Sequence, residues 1–373
     1  MVVEHLVSLH TLKKERGLIN MNRHEKALEI LHAGTVIPAT PLALDENRNF
    51  YEEGLRLLMR YYLDSGVGGI ATAVHTTQFE IRDPEVNLYE KVLNVVKEEI
   101  DAYEAKTGKT IVRVCGACGK KEQAVKEAKL AKSLGYDAVL LSPGGLKDLT
   151  EAELLERTEA VAAQMPVIGF YLQEKCGGRP LSFDYWAKLS EIENVVAIKC
   201  ASFNRYQTLD VVRAVSLSSR KDEIALYTGN DDNIVIDLLT KYKFTAKDGS
   251  IVENGFCGGL LGHWTLWSNN VVKMFDMLME AKKADKIDAE LLTLAAQVTD
   301  ANAAFFDPSH NFAGCIPGVH EVLRRQGLMK GIWCINPDEV LSEGQADEIT
   351  RVSRDYPHLT DDEFVKANIE NWR

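Results

Sequence analysis

Residues 193–202, ENVVAIKCAS, hold four apolar residues in a row (195–198) and then a lysine, Lys199. A short continuous apolar run reads as a strand buried on both faces, the kind that parallel sheets are made of. Alternate residues of a strand share a face, so Val195, Ala197 and Lys199 are expected on one side, with Val196 and Ile198 on the other. Working outward, further strands are expected near 35–40, 69–75, 110–116, 138–142, 167–171, 224–228 and 250–256. Their starts lie roughly 26 to 41 residues apart, about one strand plus one helix. The intervening text reads as helix. LTEAELLERTEAVAAQ (149–164) sets Thr150 and Glu153 in capping-box spacing, with Leu154, Leu155, Val161 and Ala162 on an apolar stripe. GKKEQAVKEAKLAKSLG (119–135) ends on Gly135, a C-terminal cap. Eight alternating units predict an α/β fold, a closed (β/α)8 TIM barrel with a C-terminal helical extension. The alternative is an open doubly wound sheet, but no Gly-x-Gly-x-x-Gly follows the first strand. The expected division is an N-terminal extension with a helix (1–33), the barrel (34–282) and helices packed on it (283–373). Within the last segment, Ser342 to Gln345 and Thr360 to Glu363 repeat the capping-box spacing.

A chain of 373 residues with 46% hydrophobic content buries a large core. Its net charge of −12, with no long basic run, argues against nucleic acid and anionic membrane surfaces as partners. No apolar run approaches the ~20 residues that span a bilayer. The first 31 residues are charged throughout and do not read as a secretory signal, and Met21 is a possible alternative start. Seven scattered cysteines suggest free thiols and a cytoplasmic location.

Lys199 at the end of a buried strand has two readings. Facing the lumen near the C-terminal mouth of a barrel, it sits where such folds keep catalytic groups. Burial there favours the neutral amine, which attacks carbonyls and forms a Schiff base. Otherwise it is a strand-end lysine that reaches out to solvent. In the preceding strand, PVIGFYL (166–172), Val167, Gly169 and Tyr171 are expected to share a face, with Tyr171 level with Lys199. A phenol there could shuttle protons; a buried tyrosine with one satisfied hydroxyl is the competing reading. AVHTTQFE (73–80) offers the hydroxyls of Thr76 and Thr77 to a carboxylate, or to ordinary turn hydrogen bonds.

In order and spacing these stretches resemble the dihydrodipicolinate synthase / N-acetylneuraminate lyase superfamily of class I, Schiff-base-forming aldolases, over about 34–280. GTVIPATPLALDE (34–46) resembles the first-strand signature, HTTQFE (75–80) the Gly-Thr-Thr-Gly-Glu loop, and GYDAVLLSP (135–143) the fourth strand. FYL (170–172), AIKCA (197–201) and TGNDD (228–232) resemble the tyrosine strand, the lysine strand and the end of the seventh. The resemblance implies that Lys199 forms an imine with pyruvate or another 2-oxo acid. Tyr171 would be the proton shuttle, Thr77 would hold the carboxylate, and Thr76 would link the tyrosine hydroxyl to further donors. No cofactor or metal is implied. The partners are a 2-oxo acid, an aldehyde and further copies of the chain, as a homodimer or homotetramer.

The departures narrow the expectation. PGG (143–145) stands where the synthase has Pro-Tyr-Tyr. Cys176 stands where it has a substrate-binding arginine, and Arg179 follows three residues later. Two glycines of the threonine loop are His75 and Gln78, and its glutamate falls at Phe79 or shifts to Glu80. A lyase or aldolase other than the lysine-biosynthetic synthase is therefore expected. The alternatives are a 2-keto-deoxy sugar acid dehydratase using the same imine, or a catalytically silent barrel that binds a small acid. His75 and His263 are candidates to replace the lost relay, or structural histidines. Asn230 and Asp231 are candidates for binding substrate hydroxyls, or, for Asp231, a helix cap. The C-x-x-C at Cys115 and Cys118 lacks a second pair and a nearby histidine, which argues against a metal or redox site.

Overall fold

The computed structural model describes residues 21–284 and 286–373. Residues 1–20 of the expected N-terminal extension lie outside it. Eight parallel strands pair in the order β1-β10-β7-β6-β5-β4-β3-β2. They are β1 (Val36–Pro38), β2 (Gly69–Thr72), β3 (Val112–Ala117), β4 (Ala138–Leu141), β5 (Val167–Leu172), β6 (Val195–Ala201), β7 (Ala225–Thr228) and β10 (Gly258–Leu261). A parallel bridge from Ala39 to Ala71 closes the ring, with Thr40 N–H donating to the Ala71 carbonyl at 2.8 Å. The chain is thus a (β/α)8 TIM barrel, its strands buried on both faces as the apolar runs require.

Helix α1 (Arg23–Ala33) covers the N-terminal end. Ala27 and Leu31 pack among the lumen side chains, and Tyr227 Oη donates to the Leu31 carbonyl at 2.7 Å. The outer ring contains α2 (Glu52–Ser65), α3 (Tyr89–Thr107), α4 (Lys121–Ser133), α5 (Glu151–Ala162), α6 (Phe183–Ser190), α7 (Arg205–Leu217), α8 (Ile234–Leu239) and α9 (Ser268–Lys283). The Thr150–Glu153 capping box forms at α5, and Gly135 takes a left-handed φ of 80° just past α4. Four more helices follow: α10 (Glu290–Phe306), α11 (Cys315–Arg325), α12 (Gln345–Asp355) and α13 (Asp362–Trp372). Of the capping boxes expected in this region the first forms by half: the Ser342 N–H donates to Gln345 Oε1 at 3.1 Å, while Ser342 Oγ donates to Asp307. The second does not form, and Thr360 Oγ1 donates to the Pro357 carbonyl.

The eighth strand is not at 250–256. Residues Ile251–Asn254 form β9, paired antiparallel with β8 (Tyr242–Thr245) in a half-exposed hairpin. The eighth barrel strand is the next segment, GGLL, buried at every position. Two glycines give a run little strand propensity, but nothing larger fits. A Cβ on Gly258 would lie 2.6 Å from the Tyr227 ring, and one on Gly259 2.4 Å from Trp264 Nε1.

Candidate active site

The site is decided by how β5 and β6 pair. At the start of the ladder Val167 faces Val195; the next pair is Ile168 with Ala197, so β6 spends one extra residue, Val196. From there the register is Gly169 with Ile198, Phe170 with Lys199 and Tyr171 with Cys200. A slip of one residue exchanges the two faces of a strand. Ile168, Phe170 and Leu172 therefore point into the lumen with Ala197, Lys199 and Ala201, while Val167 and Tyr171 face the helices with Val195, Ile198 and Cys200.

This corrects the expected pairing of Tyr171 with Lys199. Tyr171 stacks on Trp186 of α6 with ring centroids 5.1 Å apart, and its hydroxyl accepts the Leu181 N–H at 3.2 Å. Burial raises its pKa to about 12. The aromatic ring beside Lys199 is Phe170, its centroid 4.5 Å from Nζ.

Lys199 is 8% exposed and projects into the C-terminal mouth of the barrel. Its stem lies along β7. A Cβ at Gly229 would sit 2.5 Å from Lys199 Cε and 2.9 Å from the Ala201 Cβ, so the glycine makes the channel for the lysine. Burial drives its pKa below the ordinary lysine value, against the opposing fields of Asp231 and Cys176. Asp231, just past β7, is pushed the other way: burial raises its carboxyl well above the usual range, while the His263 N–H and Lys199 pull it down.

Both groups line a cavity of about 70 Å³. Its floor and walls include Ala39, Leu140, Phe170, Leu172 and Ala201; His75, Thr76, Gln173 and Cys176 add polar atoms. The roof comes from the C-terminal region, as Phe306 at the end of α10 with Phe312 and Cys315 before and at the start of α11. Phe203 and Phe312 meet edge to face at 5.7 Å. Both hold left-handed backbone, φ 52° and 67°, uncommon for bulky residues and concentrated at functional sites. Sequence patterning gave no sign of these roof residues, because they enter from segments far away along the chain.

The other candidates divide. His75 lines the cavity, and burial and Lys199 push its pKa down to about 4, which keeps it neutral. Thr76 also lines it, its hydroxyl donating to the Ala39 carbonyl at 2.8 Å rather than to a tyrosine. Thr77 is fully buried behind it and donates to the Thr40 carbonyl at 2.6 Å. Asn230 is also fully buried; it donates to Asp237 and accepts the Phe203 N–H at 3.0 Å, so it shapes the wall rather than facing the cavity. The His263 ring lies outside the cavity. Its Nδ1 contacts Asn302 Oδ1 at 2.6 Å, and burial lowers its pKa to about 4. Arg179 clasps the carbonyls of Lys147 and Leu149 and does not line the cavity. Cys115 contacts the Tyr89 hydroxyl at 3.0 Å, and burial raises both Cys115 and Cys118, an inert rather than reactive pair.

A closed parallel barrel with one buried lysine at the mouth of its sixth strand places the protein among the lysine-bearing (β/α)8 proteins. The chain belongs to the dihydrodipicolinate synthetase family, whose sequence model matches residues 32–352. It is 32% identical over 116 residues to 4-hydroxy-tetrahydrodipicolinate synthase from Clostridium novyi, a match covering 31% of this chain and 37% of that protein. Over 322 residues it is 22% identical to N-acetylneuraminate lyase 2 from Escherichia coli O6:H1, covering 85% of this chain and 92% of the relative. Among solved structures, dihydrodipicolinate synthase from Oceanobacillus iheyensis superposes with a TM-score of 0.69 at 17% identity, covering 90% of this chain and 99% of that one. N-acetylneuraminate lyase from Fusobacterium nucleatum gives 0.65 at 15% identity, covering 87% and 99%. At these identities the superpositions speak for the fold. Among the described residues no helix is long and apolar enough to cross a membrane.

Proposed function

We propose that the protein is a lyase or aldolase that forms an imine between Lys199 and a small 2-oxo acid. The observation that carries this reading is the buried amine of Lys199, lowered in pKa and lining the cavity at the mouth of the barrel. An ordinary lysine is neutral in roughly one molecule in a few thousand at pH 7, and each unit of depression raises that fraction about tenfold. The neutral amine adds to the 2-oxo carbonyl and water leaves. The resulting iminium withdraws electrons from C3, so the C3–C4 bond of a 4-hydroxy-2-oxo acid breaks, or forms in reverse.

The cavity suits a small acid. About 70 Å³ is room for a handful of water-sized atoms. The carboxylate would lie against the 75–77 turn, where Thr76 faces the cavity. No arginine lines the cavity among the described residues, so a second substrate carboxylate finds no guanidinium there, which argues against the lysine-biosynthetic reaction. Phe170, Phe203, Phe306 and Phe312 favour a small apolar aldehyde as the other product. All seven cysteines are free, in keeping with a reducing cytoplasm. The family resemblance extends the proposal to a homodimer or homotetramer, which light scattering reads directly.

Borohydride added to the protein with each of a panel of 2-oxo acids should leave a reduced adduct on the Lys199 peptide. No adduct with any of them rejects the reading. One observation favours a second reading, a silent acid-binding barrel: among the described residues no phenol lines the cavity, since Tyr171 faces the helices and Tyr227, the partner of Lys199 on β7, turns its hydroxyl down to the Leu31 carbonyl. That reading requires saturable binding without turnover, surviving Lys199→Arg.

A further inference from the structure

With Phe170 in the lumen position beside Lys199, Tyr171 turned outward and the Tyr227 hydroxyl engaged at the far end of the barrel with the Leu31 carbonyl, imine chemistry in this barrel needs another group to move protons. We infer that Asp231 is the acid–base residue, carrying protons between substrate oxygen and C3 in place of a phenol. This rests on the imine reading and deepens it.

Three features of the geometry support the assignment. Asp231 follows β7, the strand that pairs with β6, and it lines the same cavity as Lys199. The lysine stem runs through the gap left by Gly229, two residues before Asp231, which brings the amine to that side of the mouth. Asp231 is also held in place. Its carboxylate Oδ1 accepts the backbone N–H of His263 at 3.2 Å, and its backbone carbonyl accepts from Asn302 Nδ2 at 2.7 Å. Asn302 Oδ1 in turn meets His263 Nδ1 at 2.6 Å. Asn302 thus fixes the backbone at Asp231, and the His263 ring acts on that position only by orienting Asn302. A general base must be within reach first and suitably basic second. The raised pKa of Asp231 meets the second condition, since it lets the group both take and return a proton near neutrality.

In the cleavage direction the Asp231 carboxylate takes the C4 hydroxyl proton as the C3–C4 bond breaks. The electron pair moves through C3 and C2 onto the imine nitrogen, and the aldehyde leaves. Protonated Asp231 then returns its proton to C3, restoring the iminium. Water hydrolyses it to the 2-oxo acid and the free amine, and no oxidant or metal is consumed. With pyruvate alone, the same group removes a C3 proton and returns one from solvent.

The ionisable groups facing Asp231 are Lys199 on β6, Cys176 after β5, Cys315 on α11 and its neighbour Asp232; His75 lines the same cavity and is kept neutral by burial and Lys199. The His263 ring is turned to Asn302.

The test is exchange of pyruvate methyl protons in D2O, read by NMR alongside borohydride trapping. Asp231→Asn should slow exchange at least about 100-fold while the Lys199 adduct still forms. With exchange expressed per imine formed, read from the borohydride adduct at each pH, the rise with pH in the wild type should vanish in that variant. Adding Phe170→Tyr to Asp231→Asn should restore exchange at least tenfold, which also shows that the variant folds. Exchange at the wild-type rate in Asp231→Asn, loss of the adduct along with exchange, or no rescue by the tyrosine each overturns the assignment. Absence of the adduct in the wild type rejects the imine reading itself, a different failure.

Discussion

Strands β5 and β6 are neighbours of nearly equal length, and each carries one large polar residue near its C-terminal end, Tyr171 and Lys199. They end up on opposite faces of the sheet. Lys199 reaches the lumen, while Tyr171 is stacked on α6. The one structural difference is Val196, the extra residue where the ladder slips. A sheet with no slip would set Tyr171 opposite Lys199; the slip sets Phe170 there. One residue of register thus decides whether a tyrosine or a phenylalanine stands beside Lys199, with no change in composition.

The largest expected effect breaks the lysine side of this comparison. Lys199→Arg should abolish the borohydride adduct, at least about 1000-fold below wild type, because a guanidinium stays protonated. Gly229→Ala comes next. Its methyl would intrude on Lys199 Cε and the Ala201 Cβ, so the adduct yield should fall about 10- to 100-fold, with a stability loss of about 1–3 kcal/mol from overpacking.

The tyrosine side should respond differently. Tyr171→Phe should leave pyruvate exchange within about twofold of wild type. It should still cost about 1–3 kcal/mol in urea unfolding, because the buried Leu181 N–H loses its acceptor. A substantial loss of exchange in that variant would return Tyr171 to the site.

The smallest effect is on the pH dependence of stability. The folded pKa of Lys199 is depressed, so between that value and the ordinary lysine value the unfolded chain binds more protons and stability rises with pH. Asp231 is raised, so between the ordinary carboxylate value and its folded value the native state binds more protons and stability falls with pH. Lys199→Met should flatten the alkaline rise and add about 1 kcal/mol near pH 7 by removing a buried amine.

Much of the architecture was legible. Seven of the eight barrel strands declare themselves as apolar runs, and Thr150 with Glu153 marks a helix start that forms as read. The eighth strand was not legible, because GGLL is shaped by what it must avoid, Tyr227 and Trp264, rather than by its own propensity. In the site, Lys199, Thr76, His75 and Asp231 could be picked out as polar residues at strand ends, and all four line the cavity. Phe170 and Phe312 could not, since nothing local distinguishes them from core phenylalanines.

The sequence by itself determined the strand–helix repeat, hence the barrel, because burial on both faces requires continuous apolar runs at a fixed spacing. It also determined that an amine would stand at the end of the sixth strand. Which ring stands beside that amine was decided only in three dimensions. Strand register depends on how two backbones meet, and the side chains of a period-two element change sides when that meeting shifts by a single residue.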